Sequence, residues 1–230
     1  MSLPGAVRYD SGMDSYLAGL PLLKTLPNDA LERLSQAFIL RRYGKGETIF
    51  EEGSAADAAY FLRSGLVKAV KYSPAEASVL MELIVPGRIF GMLPIMDGKP
   101  YPVTVVCIQP SSAYRIRSVD FQDLMRRHAP FSRAVYAELG SHMRHSQNLR
   151  ALSTQPAEQR IAYILWMLAG VAGTELRLRR EEIAEMAGTT IETAIRVVGR
   201  LRDEKLLSAP WGRISVLKPE SLLKLSGAAS

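Results

Sequence analysis

The sequence predicts an α+β protein: an N-terminal antiparallel β-barrel of the double-stranded β-helix or jelly-roll kind, a long helix, and a C-terminal winged helix-turn-helix. Three observations carry this. Between Leu40 and Arg117 the apolar pattern is strand-like and punctuated by glycine; from Pro130 to about Leu152 it becomes one uninterrupted helical repeat; from Arg180 to Leu201 two amphipathic faces meet at Gly188, and a strand-turn-strand signal follows. The domains are accordingly placed at 1–128, 129–153 and 154–230.

Taken in order, residues 1 to about 19 show no periodic pattern and read as a loosely docked arm. Leu26-Pro27-Asn28-Asp29 ahead of Leu31, Leu34 and Phe38 marks a capped amphipathic helix. Strands follow at Thr48–Phe50, Tyr60–Leu62, Leu66–Tyr72, Val79–Val85, Val103–Ile108 and Ala113–Ile116. Gly46, Gly53, Ser64-Gly65, Pro86-Gly87, Gly91, Asp97-Gly98 and Pro110 separate them, the spacing of a small antiparallel sandwich or barrel.

A short helix is expected around Asp120 to Arg127, and Pro130 opens the long one. Along it Val135, Leu139, His142, Ser146 and Leu149 recur at 4-3-4-3 spacing, the seam that two copies of a helix bury against each other. This makes it a dimerisation helix, with intramolecular packing as the other reading. Pro156 stands at the start of a further helix through Ile161, Ile164, Leu165 and Leu168, so the hinge falls near Ser153 to Gln155.

In the C-terminal part, Ile183, Ala184 and Ala187 form an apolar face, Gly188 breaks it, and Thr189-Thr190 offer N-cap oxygens to a second helix. There, Ile191, Ala194, Ile195, Val198 and Leu201 are assigned to the packed side, and Thr189, Glu192, Thr193, Arg196 and Arg200 to the outward side. Arg196 can donate two hydrogen bonds to guanine O6 and N7, and Glu192 can accept from cytosine N4. A carboxylate is repelled where a face only grips phosphates, so the pair points to direct reading of bases in a major groove. For such a helix in isolation, an ordinary solvated face is the competing reading. The strands Leu206–Ala209 and Ile214–Leu217 flanking Pro210-Trp211-Gly212-Arg213 favour the winged form.

Composition bounds the function. The 230 residues are 47% hydrophobic and 23% charged, enough for substantial cores, and 29 basic against 23 acidic residues give +6, which favours a polyanionic partner. The single Cys107 excludes an internal disulfide and a multi-cysteine cluster from one chain, and fills the core as a small hydrophobe. No signal-type segment and no apolar run of about 18 residues is present, so the expected location is cytoplasmic, with no membrane partner. His128, His142 and His145 all follow the strands, which does not suit a barrel metalloenzyme; no nucleophile-base pattern or phosphate-cradling loop occurs, so no enzyme is expected.

The chain resembles the cyclic-AMP receptor and fumarate-nitrate reduction regulator (Crp/Fnr) family of bacterial transcription factors from about Leu20 onward. The marks are Gly46-Glu47-Thr48-Ile49-Phe50-Glu51-Glu52-Gly53, Tyr60-Phe61-Leu62-Arg63-Ser64-Gly65, Pro86-Gly87-Arg88-Ile89-Phe90-Gly91 and Gly188-Thr189-Thr190-Ile191-Glu192-Thr193-Ala194-Ile195-Arg196. The resemblance implies a cyclic-nucleotide-binding-like sensor domain and a homodimer on a palindromic operator, working with RNA polymerase. It places Glu192 and Arg196 at base-reading positions, Thr189, Thr190 and Arg180 at phosphate-contacting ones, and Ile191 where the cyclic-AMP branch has a further base-reading arginine. That departure implies half-sites of the TTGA type.

The effector region departs too. Family members that bind cyclic nucleotides resemble one another in a glycine-glutamate pair and an arginine followed by serine or threonine; here Gly91-Met92 and Pro102-Val103-Thr104 stand in those places. Both the carboxylate and the bidentate fork are missing, so cyclic AMP is not the expected ligand. An iron-sulfur cluster is not expected either, for want of cysteines. The expected pocket is apolar, lined by Phe90, Gly91, Met92, Val103 and Val105, with Tyr101 and Thr104 as polar groups and His142, His145 and Ser146 facing it from the long helix. Ile95-Met96-Asp97-Gly98-Lys99-Pro100-Tyr101 looks like the loop of nitric-oxide-responsive regulators, some of which bind haem. His142 or His145 would then be an axial ligand; a polar, partly solvated helix face is the alternative. The β domain is thus read as sensing a small molecule or a redox or gas signal, and a barrel that serves only as a protein-interaction module stays open beside it.

Overall fold

The computed structural model describes residues 15–72 and 78–227 and divides into two compact units. The first comprises the chain to Ser78 and Glu82–Arg144, the second Val79–Met81 and His145–Ser230.

The first unit opens with α1 (Ser15–Gly19), a 3₁₀ turn (Leu23–Thr25) and α2 (Asn28–Ser35). Most of the expected arm, residues 1–14, lies outside the described residues; its end is not loose, because Leu17 and Leu20 are buried. Leu34 and Phe38 pack as expected, although α2 starts after Pro27 with no side-chain cap. Strands β1 (Ile39–Tyr43), β2 (Thr48–Phe50), β3 (Ala58–Ser64), β4 (Val67–Tyr72), β5 (Ser78–Ile84) and β6 (Ile89–Phe90) follow. Then come α3 (Leu93–Asp97), β7 (Thr104–Cys107), β8 (Ser111–Arg117), α4 (Ser118–Arg127) and α5 (Ala129–Ser153).

The strands form two antiparallel four-stranded sheets, ordered β1-β8-β3-β6 and β2-β7-β4-β5. The jelly-roll expectation holds, with one correction. The strands fall into two separate sheets instead of closing into one barrel, because among the described residues neither sheet hydrogen-bonds its edges to the other. On β3, Ala59 and Phe61 turn to a core built from Leu17, Leu23, Ile116, Phe121, Phe131 and Val135, while Tyr60 turns to the opposite face. Burial on both faces accounts for the continuous apolar run from Ala58 to Leu62.

That core corrects the reading of α5. Val135 is fully buried within the unit and Leu139 packs against the same cluster, so the predicted seam faces inward at these positions. A second stripe, offset by one residue, is exposed instead: Tyr136 (60% exposed) and Met143 (61%), with the half-exposed Gly140 between them. The side chain of Leu149 lies outside the described residues.

The second unit carries α6 (Ala157–Ala172), β9 (Glu175–Leu176), α7 (Arg180–Ala187), α8 (Ile191–Asp203), β10 (Leu207–Ser208), β11 (Ile214–Val216) and α9 (Pro219–Ser226). Ile161, Leu165, Ile183, Ala194, Val198, Leu201, Ile214 and Leu222 form its interior. The wing pairs Leu207 with Val216 and Ser208 with Ser215, and β9 adds a third strand through Ile214 and Leu176. Neither β9 nor α9 is anticipated by periodicity, since a two-residue strand carries no repeat.

Candidate nucleic-acid interface and effector region

The turn between α7 and α8 is built on Gly188, whose φ of 57° and ψ of 48° lie in the left-handed region. Its N–H donates to the Ala184 and Glu185 carbonyls and the Thr189 N–H to Ala184, closing α7. Thr190 then caps α8, its Oγ1 accepting from the Thr193 N–H at 3.2 Å. At the other end of α7, buried Glu182 accepts from the Arg179 N–H at 2.9 Å.

A residue that no motif signals holds this turn in place. Arg160 of α6 donates to the carbonyls of Ala187 (2.7 Å), Gly188 (3.1 Å) and Gln155 (2.6 Å). A guanidinium at a helix C-terminus satisfies carbonyls that the helix leaves unpaired, and it favours the local dipole.

The outward residues of α8 sort into two groups. Glu192 and Arg196 are exposed on one stripe. A hydrogen bond from its own backbone N–H and the Thr190 hydroxyl hold the Glu192 carboxyl below the usual glutamate range, so it is an acceptor at neutral pH. Arg200 lies further round and is ion-paired with Glu158 of α6. Thr190 and Thr193 are engaged in the cap, and Thr189 is half-buried in the turn. Arg180 is partly buried and donates to the Ala209 carbonyl at the base of the wing, 3.2 Å away. Burial, with Arg202 nearby, lowers its pKa.

The packed side of α8 differs from expectation at two positions. Ala194, Val197, Val198 and Leu201 are buried, but Ile191 (42% exposed) and Ile195 (53%) stand out in solvent beside Glu192 and Arg196. The packing arc centres on Ala194 and Leu201, so the edge of the apolar arc is left outside.

In the first unit the expected effector residues do not form one group. Phe90 and Tyr101 belong to a four-ring stack with Phe50 and Tyr60; the Phe50 and Tyr101 ring centroids are 3.8 Å apart, those of Tyr60 and Phe90 5.3 Å. The Tyr101 hydroxyl donates to the Ala58 carbonyl at 2.5 Å and accepts from its N–H at 3.2 Å. Gly91 closes the stack so tightly that a Cβ there would sit 3.3 Å from the Ala58 oxygen, Phe50 and Tyr101. Thr104 Oγ1, next in chain to half-buried Val103, accepts from the Glu52 N–H at 3.0 Å. Met92 turns into the other core, with Ile89, Ile95 and Phe121. Val105 and Cys107 are buried, and burial raises the Cys107 thiol to about 11, so it stays protonated.

His142 sits between two carboxylates, Nδ1 3.0 Å from Glu82 and Nε2 3.3 Å from Glu138. Arg88 completes the cluster, 3.1 Å from Glu138 and donating to Ser141 at 3.4 Å. Burial alone would depress the imidazole. The hydrogen bonds the ring donates to Glu138 and Glu82, with the charge of Glu82, outweigh it and raise the pKa to about 9. An imidazolium with both nitrogens occupied has no lone pair for iron, so His142 does not fit the haem-ligand role. The side chain of His145 lies outside the described residues, and Ser146, half-buried, belongs to the second unit.

The imidazolium links stability to pH. With its folded pKa above the unfolded value, His142 contributes fully below about pH 6.5, and the contribution is lost as pH rises through about 9. Urea unfolding of the first unit is expected to show a loss of roughly 1 to 3 kcal/mol across that window, discounted for partial solvent access. His142→Gln should remove this slope. An equal slope in both proteins would show that the pair with Glu82 and Glu138 does not govern it.

A jelly-roll domain joined through a long helix to a winged helix-turn-helix, with an exposed carboxylate and guanidinium on the second helix, defines a DNA-binding transcription regulator. A cyclic nucleotide-binding domain model matches residues 40–128, and a Crp-like helix-turn-helix domain model matches residues 159–225. The chain belongs to the Crp/Fnr family of transcription regulators. It is 27% identical over 202 residues to the cyclic AMP receptor protein of Thermus thermophilus, covering 87% of this chain and 94% of that one. It is also 27% identical over 220 residues to the transcriptional activator protein Anr of Pseudomonas protegens, covering 91% and 89% respectively. The solved structure of FixK2 from Bradyrhizobium japonicum shares the fold at a TM-score of 0.75 and 21% identity, over 84% of this chain and 99% of that one. TTHB099, a CRP-family regulator of T. thermophilus, matches at a TM-score of 0.64 and 26% identity, over 82% and 97%.

Proposed function

We propose that the chain acts as a cytoplasmic, non-enzymatic homodimer whose two α8 helices read a palindromic operator, under control of a small-molecule or redox or gas effector other than cyclic AMP. The observation that carries this is the exposed Glu192–Arg196 pair on a helix held by Gly188, Thr190 and Arg160. A two-fold dimer places two such helices about one DNA turn apart, which dictates inverted half-sites, here of the TTGA type, adjacent to which RNA polymerase would bind. No helix among the described residues is long and apolar enough to cross a membrane. Dimerisation is assigned to the exposed α5 stripe of Tyr136, Gly140 and Met143. Control would be a population shift, the effector acting only through its differential affinity for the DNA-competent dimer. Enrichment of duplexes from a randomised pool by full-length protein tests the reading. An inverted repeat is the expected product, and a single unrepeated site would overturn the two-fold arrangement.

Although one relative is named a cyclic AMP receptor, three observations set this chain apart. Met92 is buried in an apolar core, Phe90 and Tyr101 are stacked with Phe50, and Pro102-Val103 bring no guanidinium. A cyclic phosphate taken from water without a paired cation loses on the order of 3 to 5 kcal/mol, a hundred- to several-thousandfold in affinity. Calorimetry with cyclic AMP is therefore expected to give no binding heat at micromolar ligand. Tight binding that strengthens operator affinity would refute this. The interaction-module reading keeps one observation in its favour, the ring-filled interior of the sandwich.

A further inference from the structure

Ile195 and Ile191 are spaced i, i+4 on the solvent side of α8, 53% and 42% exposed, and adjoin Glu192 and Arg196. Scattered exposed isoleucines are unremarkable on most surfaces. Here the two form a contiguous apolar strip, and they occupy the one helix face whose polar members suit base edges. Gly199 follows one turn beyond Ile195, further round the helix and half-buried. A Cβ at Gly199 would meet nothing within 4 Å, so the packing of this chain does not require glycine there. Glycine inside a helix is nevertheless unfavourable by about 1 kcal/mol relative to alanine, and it is the residue that lets another body approach a backbone closely.

The apolar feature that a polyanionic duplex offers to a major-groove helix is the C5-methyl of thymine. We propose that Ile195, flanked by Ile191, is a specificity-determining residue that packs on a thymine methyl group within each half-site, with Gly199 allowing the helix to lie close in the groove. The inference rests on the operator-reading role proposed above and adds an apolar determinant to its two polar ones. A truncated side chain at position 195 would leave the methyl in water, so the isoleucine sets a preference for thymine over cytosine at a position that neither Glu192 nor Arg196 needs to touch.

Deoxyuridine differs from thymidine by that methyl alone and therefore isolates the contact. Full-length protein would be used to enrich an operator from randomised duplexes, after which each half-site thymine is replaced in turn by deoxyuridine and affinity is measured by fluorescence anisotropy. The wild type is expected to weaken about fourfold per affected half-site at one position, the effect of exposing one methyl-sized apolar group. Ile195→Ala should weaken by a similar factor on the thymine operator and lose its sensitivity to deoxyuridine at that position alone. Uniform indifference of the wild type to deoxyuridine, or equal sensitivity in both proteins, would overturn the inference while leaving the operator reading intact. Failure to enrich any duplex would overturn both. Conversion of the Ile195→Ala protein to monomer in sedimentation would assign the strip to a protein contact and also overturn it.

Discussion

Arg196→Ala is expected to flatten base preference at one position of each half-site, lowering discrimination there by about 1 to 3 kcal/mol, roughly 5- to 150-fold. The reason lies in how the arginines of the second unit are committed. Arg200 is paired with Glu158, Arg160 is spent on three carbonyls of the turn, and Arg180 ties α7 to the wing through Ala209. Arg196 stands exposed on the stripe of Glu192. A planar fork in that place can take both major-groove acceptors of guanine, and a lysine could not reproduce the geometry. Glu192→Ala should relax a different position, because a carboxylate accepts from cytosine N4 instead. Arg180→Ala should weaken all sequences evenly, since neither the tie to Ala209 nor a phosphate contact carries base information. Anisotropy titrations across all single-base operator variants distinguish these cases. An unaltered preference profile for Arg196→Ala would remove it from base reading.

What the sequence revealed, and what it hid, follows from how periodicity arises. β2 at Thr48–Phe50 and the glycine-punctuated strands around it are legible because alternation and turn residues are local. The helix-turn-helix is legible because Gly188 and Thr190 perform local tasks at fixed spacing. Ile195 is misread because apolarity marks an arc of a helix and burial marks only its packed centre; Val197, on the far edge, takes the core place expected of Ile195. The residues expected around an effector part company for a different reason. Phe90 and Met92, two residues apart in chain, diverge because β6 ends between them, so one ring joins Phe50 and Tyr60 while the thioether joins the opposite core. The embrace of His142 by Glu82 is non-local by 60 residues and leaves no trace in spacing.

Met143→Glu is expected to convert the proposed dimer to monomer at micromolar concentration while leaving the first unit folded. A 4-3 repeat on α5 can be drawn through Val135, Leu139 and His142, or one residue later through Tyr136, Gly140 and Met143, and spacing alone does not choose. Packing does choose: Val135 and Leu139 cover the core beneath Phe131 and Phe121, and His142 is held by Glu82 and Glu138, which leaves Tyr136 and Met143 to solvent in the single chain. A second copy meeting that stripe about a two-fold axis would bring the two Met143 side chains close together. Glutamates in their place would oppose like charges in a desolvated seam. Loss of the dimer also removes the simultaneous engagement of two half-sites, so operator affinity should fall on the order of a hundredfold or more. Leu139→Glu provides the contrast, because its carboxylate would enter the intramolecular core and lower the unfolding midpoint of the first unit before any effect on association. Sedimentation, urea unfolding and operator titration of the two variants separate the outcomes. A Met143→Glu protein that remains a dimer with wild-type operator affinity would place the interface elsewhere.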